Sequence, residues 1–363
     1  MRVIISAGGT GGHIYPALSI IDAIKRNEKN SEILYIGTTD RMEKDIVPSL
    51  GIKYESIEIK GLKRSLSFQN IKNVSLFFKA IKKCKKIISE FKPDIVIGAG
   101  GYVTVPVLMA ANKKNIPIVI HEQNSIPGLS NKVLAKKVEK IFVSFKDSSI
   151  YFDSKKTVYS GNPSSERVLN AKKANKQDYG LKQTKKLVTI VMGSLGSEKI
   201  NEMMKKIIPN FKNKKYEVLF VTGKSYYKEF TENFKIPDNV KVVEYIENIG
   251  GMLKNTDLMV SRAGASMLME LTLLKIPTIY IPSPYVTNNH QYKNAMSLVD
   301  KKAALILEEK DLNENSLIDL IDKTIDDDKK IQEIKNNLSN LSITGSGDII
   351  YNEIKKIVSE SKK

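Results

Sequence analysis

The chain has no tryptophan and a single cysteine, Cys84, in 363 residues. One cysteine excludes a disulfide framework and any cysteine-built metal site. Histidine is almost as scarce. His13, His121 and His290 stand far apart, and no spacing among them argues for a metal. No apolar run reaches the roughly 18 residues that a membrane span requires. No charged-then-apolar leader opens the chain, so a soluble, cytoplasmic protein is expected. Acid is short against base: 40 Asp and Glu face 58 Lys and Arg, a net charge of +18. The shortage is greatest in residues 1–162, with 26 basic and 14 acidic residues, against 32 and 26 in the remainder. A basic first half points to an anionic surface, membrane or nucleic acid.

What is present is the make-up of two α/β domains. The length suits two cores. Short apolar, β-rich runs fall near 2–6, 33–37, 94–98, 117–121, 140–144 and 157–160. A second set falls near 186–192, 216–222, 240–243, 257–261, 277–281 and 303–307. Helical patterns lie between them. Continuous apolar strands alternating with helices imply parallel sheets covered on both faces. Two such sets imply two doubly wound, Rossmann-like domains, in which ligands bind beyond the carboxyl ends of strands.

The loops after strands are therefore the places to look. The strand ending at Ser6 runs into Gly8-Gly9-Thr10-Gly11-Gly12-His13, with four glycines in five positions, and then a helix from Ile14. Backbone N–H groups in such a turn can approach an anion at a helix start. The pattern is neither G-x-G-x-x-G nor a Walker loop, and its unusual member is His13. Gly98-Ala99-Gly100-Gly101-Tyr102-Val103 is a second glycine-rich loop after a strand. His121-Glu122-Gln123-Asn124 puts four polar side chains at the end of another, where they suit a polar ligand. Gly161-Asn162-Pro163 reads as a linker. In the second half, Met192-Gly193-Ser194-Leu195-Gly196-Ser197 repeats the logic of the opening loop. Ser261-Arg262-Ala263-Gly264-Ala265-Ser266-Met267 opens a helix that suits a diphosphate, and Glu270 on that helix can take two ribose hydroxyls. Asn288-Asn289-His290-Gln291 with Asn294 suits sugar hydroxyls. The Gly61–Lys92 segment holds nine Lys and Arg and one acid, Glu90. Ile71, Val74, Phe78, Ile81 and Ile88 follow a helical stripe there, with Leu76 and Phe77 off it. Either a solvated lysine face or a surface that docks on anionic lipid fits this pattern.

Taken in order, Gly8–His13, Gly100–Val103, His121–Asn124, Gly161–Pro163, Ser261–Ala265 with Glu270, and His290-Gln291 with Asn294 resemble the MurG family of lipid-linked peptidoglycan glycosyltransferases, of the GT-B fold. The resemblance runs through the whole chain. It implies two Rossmann-like domains with an interdomain cleft: residues 1–162 with a C-terminal helix at about 346–363 for acceptor and membrane, and 163–345 for the UDP-sugar. It implies inverting transfer of N-acetylglucosamine from UDP-N-acetylglucosamine to undecaprenyl-pyrophosphoryl-N-acetylmuramyl-pentapeptide (lipid I). The product would be lipid II, made without metal or cofactor at the cytoplasmic membrane face, with other cell-wall synthesis proteins as partners. Carried over by motif, Ile246 and Tyr245 meet the uracil and Glu270 the ribose. Ser194, Ala265, Ser266 and Met267 meet the diphosphate. Gln291 reads the sugar with His290, Asn294, Asn124 and the Thr10, Gly11, Gly12 loop. The acceptor pyrophosphate falls to the two glycine loops, Tyr102 included.

Two departures stand out. The family's Gly-Gly-Ser-Gln-Gly loop is Met192-Gly193-Ser194-Leu195-Gly196 here, and the arginine usual after Gly-Asn-Pro is replaced by Ser165, with Arg167 close by. For the chemistry, His13 is the first choice of general base because an imidazole titrates near working pH, and Glu122 is the second. A helix N-terminus and Arg262 would stabilise the leaving diphosphate. A UDP-N-acetylglucosamine 2-epimerase or glycolipid synthase is the rival enzyme reading, though an epimerase needs no acceptor surface. A nucleic-acid binder would interleave aromatics with its basic patches, and here Phe68, Phe77, Phe78 and Phe91 keep helical spacing.

Overall fold

The computed structural model of the chain describes residues 1–61, 68–193, 195–232 and 234–362, with side chains except at 68–72. In chain order the elements begin with β1 (Arg2–Ser6), α1 (Gly11–Asn27), β2 (Glu32–Thr38), α2 (Glu43–Ser49), β3 (Lys53–Ile57) and α3 (Phe68–Phe91). There follow β4 (Ile95–Gly98), α4 (Thr104–Asn112), β5 (Ile118–Glu122), α5 (Leu129–Leu134), β6 (Lys140–Val143) and β7 (Thr157–Tyr159). Next come α6 (Arg167–Asn170), β8 (Leu187–Val191), α7 (Glu198–Ile207), β9 (Glu217–Val221), α8 (Tyr227–Thr231), β10 (Val240–Val243), α9 (Ile249–Leu253) and β11 (Leu258–Ser261). The chain closes with α10 (Ala265–Leu273), β12 (Thr278–Tyr280), α11 (His290–Val299), β13 (Leu305–Ile306), α12 (Ser316–Ile325), α13 (Asp328–Leu341) and α14 (Ser346–Ser361). The chain divides into two compact units, Met1–Ser164 with Ile343–Lys363, and Ser165–Ser342.

The first unit is a seven-stranded parallel sheet ordered β3-β2-β1-β4-β5-β6-β7. Its two faces are covered separately. Ile14, Ala17, Leu18 and Ile21 of α1 join Ile350, Tyr351, Ile354 and Ile357 of α14 on one face. On the other, Ala80, Ile81, Cys84 and Ile88 of α3 pack with Val107, Leu108 and Ala111 of α4. The second unit is a six-stranded parallel sheet ordered β10-β9-β8-β11-β12-β13. In each sheet the order reverses at one point, between β1 and β4 and between β8 and β11. Adjacent loops leave in opposite directions there, and a crevice opens at the carboxyl ends of the strands.

Two expectations need correction. No strand was expected at Lys53–Ile57, yet β3 forms the sheet's edge beside β2. Its residues alternate in burial, ending in the wholly buried Ile57, and the polar members hid it. In α3 the stripe is shifted. Phe77 packs on the core while Phe78 is 65% exposed and Val74 also faces out. Ile71 lies outside the described side chains. Among the described residues no helix is long and apolar enough to cross a membrane.

The terminal helix is held to the first unit by more than its apolar face. Asp348 accepts from the Arg26 guanidinium at 2.6 Å and from the Asn27 amide at 2.8 Å, which holds its carboxyl below the usual range. Replacing the wholly buried Ile354 by Ala leaves a void between α14 and α1. It should cost about 2–5 kcal/mol, seen as a lower urea midpoint with an unchanged slope.

Candidate functional site

In the first unit the crevice between β1 and β4 is walled by the two glycine loops. Ala99 N–H donates to Ser6 O at 2.8 Å and Gly8 N–H to Gly100 O at 3.3 Å. Gly9, Gly100 and Gly101 have φ of +91°, +98° and +88°, a region L side chains rarely adopt. A Cβ on Gly101 would run into the Gly8 carbonyl, and one on Gly100 into the His13 ring. The loops thus touch backbone to backbone, and the His13 imidazole rests on the second. Thr10 and Gly12 are exposed, and Gly11 and His13 half-buried. His13 Nδ1 lies 3.2 Å from Gly8 O and 3.2 Å from Thr10 Oγ1. Tyr102, half-buried on the second loop, hydrogen-bonds Arg41.

The end of β5 turns inward. His121, Glu122 and Gln123 are all buried, so three of the four polar side chains expected to meet a ligand serve the scaffold. His121 is wholly buried, and desolvation pushes it down to about 4, leaving it neutral. Glu122 carries a correction. Its Oε1 accepts from Asn124 N–H at 2.9 Å, and its Oε2 from Gly128 N–H at 3.0 Å and the Asn131 amide at 2.8 Å. Both oxygens brace the loop that follows, so Glu122 positions Asn124 and is not placed to collect a substrate proton. Burial nonetheless raises its pKa. Asn124 itself is half-buried.

In the second unit a cavity of about 380 Å³ opens at the reversal between β8 and β11. Five of the expected residues line it: Tyr245, Ile246, Arg262, Met267 and Gln291. Beside it two loops pair closely. Gly196 and Gly223 take φ of +77° and +89°, and a Cβ on either would strike the other loop's backbone. Ala265 and Ser266 form the first turn of α10, between the lining residues Gly264 and Met267. The Ser266 hydroxyl is buried with no hydrogen-bond partner among the described residues. Glu270 follows one turn along. Burial pushes it up to about 7 against the pull of Arg167. Ser194 lies outside the described residues.

Arg262 and Asn294 differ from expectation. The Arg262 guanidinium is nearly buried. It donates to Glu309 at 2.7 Å, to Ile281 O at 3.0 Å and to Ser197 Oγ at 3.3 Å, so its charge is already matched inside the protein. Asn294 is wholly buried and donates to Ala263 O at 3.2 Å, tying α11 to the loop before α10. Gln291 Oε1 accepts from Ser283 N–H at 2.9 Å. That leaves the amide nitrogen as the donor end of a side chain that lines the cavity. His290 Nδ1 donates to Thr287 O at 2.9 Å. Asn288 and Asn289 sit in the left-handed region at φ +56° and +51°, a local strain tolerated by asparagine and often kept at functional loops.

Several residues escaped the sequence reading. Lys199, in the first turn of α7, donates to the exposed Tyr285 phenol at 2.9 Å and lies 3.3 Å from Glu309. Glu43 sits wholly buried beneath the opening glycine loop. Neither belongs to a glycine-rich loop or a polar cluster, and each is recognisable only by its partner in space.

Residues 3–143 match the glycosyltransferase family 28 N-terminal domain, and residues 187–348 match the glycosyltransferase family 28 C-terminal domain. A curated relative from Bacillus licheniformis is 43% identical over 366 residues, covering 100% of both chains. Another, from Bacillus cytotoxicus, is 44% identical over 362 residues, covering 99% of this chain and 100% of its own. Both carry the name UDP-N-acetylglucosamine–N-acetylmuramyl-(pentapeptide) pyrophosphoryl-undecaprenol N-acetylglucosamine transferase. The crystal structure of Acinetobacter baumannii MurG superposes with a TM-score of 0.81 at 23% identity, covering 98% of this chain and 99% of that one. Its GT-B fold is therefore shared. With both family models matched and relatives above 40% identical from end to end, this chain belongs to glycosyltransferase family 28, in its branch of pyrophosphoryl-undecaprenol N-acetylglucosamine transferases.

Proposed function

We propose that this chain transfers N-acetylglucosamine from UDP-N-acetylglucosamine to the 4-hydroxyl of undecaprenyl-pyrophosphoryl-N-acetylmuramyl-pentapeptide, with inversion, to give lipid II. The observation that carries this reading is the end-to-end relationship to curated transferases of that name. The cavity of the second unit takes the nucleotide. Tyr245 and the backbone at Ile246 flank the uracil. Glu270 accepts from the ribose hydroxyls. The diphosphate lies at the start of α10, where N–H groups of the first turn are unpaired within the helix and Ser266 brings a hydroxyl. Gln291 and His290 read the sugar. The glycine loops of the first unit, with Thr10 and Tyr102, take the acceptor.

In the reaction His13 Nε2 accepts the proton of the acceptor 4-hydroxyl. The oxygen forms its bond to the anomeric carbon from the face opposite the UDP. The bond from that carbon to the diphosphate oxygen breaks, and its electron pair leaves with UDP. A carbonyl can only accept a hydrogen bond, so the Nδ1 contact with Gly8 O fixes the proton on Nδ1. Nε2 then carries the lone pair that a base needs. UDP release should require both the donor and a lipid I analogue and should persist in EDTA. His13→Ala should lower that rate by roughly 100-fold or more. Release or epimerisation without acceptor would overturn the transferase reading, and a near-wild-type rate in the variant would remove His13 as base.

Ribose hydroxyls donate to an ionised carboxylate, so they favour the form of Glu270 that burial disfavours. The sign follows directly. Binding of UDP-N-acetylglucosamine is full above pH 7 and weakens as the carboxylate takes up its proton below it. Calorimetry should give about a tenfold weaker Kd at pH 6 than at pH 8. Glu270→Gln should bind weakly at both, with the pH dependence gone.

The anionic membrane surface is met by the first unit. On α3, Val74 and Phe78 stand exposed among Lys79, Lys82 and Lys83. On and after α5, Leu129 and Val133 stand exposed with Lys132, Lys136 and Lys137. Apolar side chains enter the headgroup region while lysines pair with anionic lipid. Phe78→Glu should reduce cosedimentation with anionic vesicles several-fold and leave turnover of a soluble lipid I analogue intact.

A further inference from the structure

Glu43 opens α2, and its side chain is wholly buried. Its carboxylate is divided between two tasks. Oε1 accepts from Thr38 N–H at 3.1 Å and from the Thr38 hydroxyl at 2.7 Å. Oε2 accepts from Gly9 N–H at 3.1 Å. That N–H belongs to the same peptide group as the Gly8 carbonyl, and the Gly8 carbonyl is the acceptor for His13 Nδ1 at 3.2 Å. Carboxylate, peptide and imidazole therefore form one chain of hydrogen bonds. The arrangement has a steric condition. A Cβ on Gly8 would collide with Glu43 Oε1, and one on Gly37 with the Glu43 side chain.

We propose that Glu43 is a positioning residue for His13, acting through the Gly8–Gly9 peptide: it holds the imidazole in the Nδ1–H tautomer and raises the basicity of Nε2. A peptide group is a resonance hybrid. A carboxylate on its N–H favours the form with negative charge on oxygen, and hydrogen bonds in series polarise one another, the more so away from water. The enriched Gly8 oxygen is a stronger acceptor for Nδ1–H and stabilises the imidazolium that forms when Nε2 takes a proton. The logic is that of a carboxylate behind a catalytic histidine, with a peptide interposed. The other titratable groups on the elements packed around His13 are His121 on β5, neutral in its buried site, Glu122 on β5, Tyr15 on α1, and Tyr102 on the β4–α4 loop with its partner Arg41. Each is retained in the variants below.

This inference rests on the reading of His13 as base, and its test separates the two. Ring resonances of the three histidines are titrated by NMR in the full chain, with His13 assigned by its loss in His13→Ala. In Glu43→Gln the His13 pKa should fall by about half a unit to one unit, a three- to tenfold change in its ionisation constant. The acid limb of kcat/KM should move by the same amount. Thr38→Val removes a hydroxyl that competes for the carboxylate and keeps the charge, so it should move the His13 pKa upward. Opposite signs from two neighbours are not produced by mere loosening of the loop. A folded Glu43→Gln with an unmoved His13 pKa overturns the inference. If that variant does not fold, Thr38→Val decides alone, and no upward shift overturns it. A shifted His13 pKa with an unmoved kcat/KM limb upholds the relay and removes His13 as base.

Discussion

The first unit's site depends on one close approach, that of the β1–α1 backbone to the β4–α4 backbone where the strand order of the sheet reverses. Parallel pairing brings β1 and β4 together along their length, and the hydrogen bonds from Ala99 to Ser6 and from Gly8 to Gly100 carry that contact past the strand ends. Only glycine fits where the loops meet, because a side chain on Gly100 or Gly101 would occupy the space of the His13 ring or the Gly8 carbonyl. Rigidity there follows from packing, and His13 inherits its position from it. The second unit repeats the device with Gly196 against Gly223 beside its cavity. Two sheets with the same reversal thus produce two crevices by the same physical route.

Buried polar groups fix what the glycines leave free. Glycine loops are entropically costly to order, and two of the first unit's loops are braced by carboxylates that accept backbone N–H bonds. Glu43 braces the opening loop and Glu122 the loop after β5. In the second unit the Arg262–Glu309 pair joins the β11 loop to the segment after β13, with Ile281 O and Ser197 Oγ as further acceptors. Such a pair is strongly disrupted when one partner is lost and adds modest stability when intact. Its value is in placement. It shapes the wall of the cavity, and it withdraws Arg262 from the role of free phosphate ligand.

The fold was legible because burial on both faces of a parallel sheet leaves short apolar runs, and glycine clusters mark where the chain must turn tightly after them. The opening loop, the Gly100-Gly101 loop and the loop before Ala265 could all be placed at strand ends on that basis. What failed, failed for physical reasons. β3 is an edge strand with polar alternate residues, so its pattern reads as loop. His121 and Gln123 are polar residues that the end of β5 turns inward, and linear order does not distinguish a side chain aimed at ligand from one aimed at a backbone carbonyl, as Asn294 also shows. Glu43 and Glu309 answer to partners 34 and 47 positions away. No local pattern records such pairings.

A histidine base and a diphosphate leaving group ask for opposite fields. A lone pair on Nε2 gains basicity from nearby negative charge, whereas departing phosphate oxygens need donors and positive potential. Here the buried carboxylate of Glu43 stands behind the glycine loop of the first unit, while in the second unit the residues on either side of the first turn of α10, Gly264 and Met267, line the cavity. The first unit is rich in lysine overall, yet the local charge behind His13 is negative and shielded from solvent by burial. Net charge therefore describes the surface of that unit, whereas the field at the imidazole is set by the buried hydrogen-bond chain behind it.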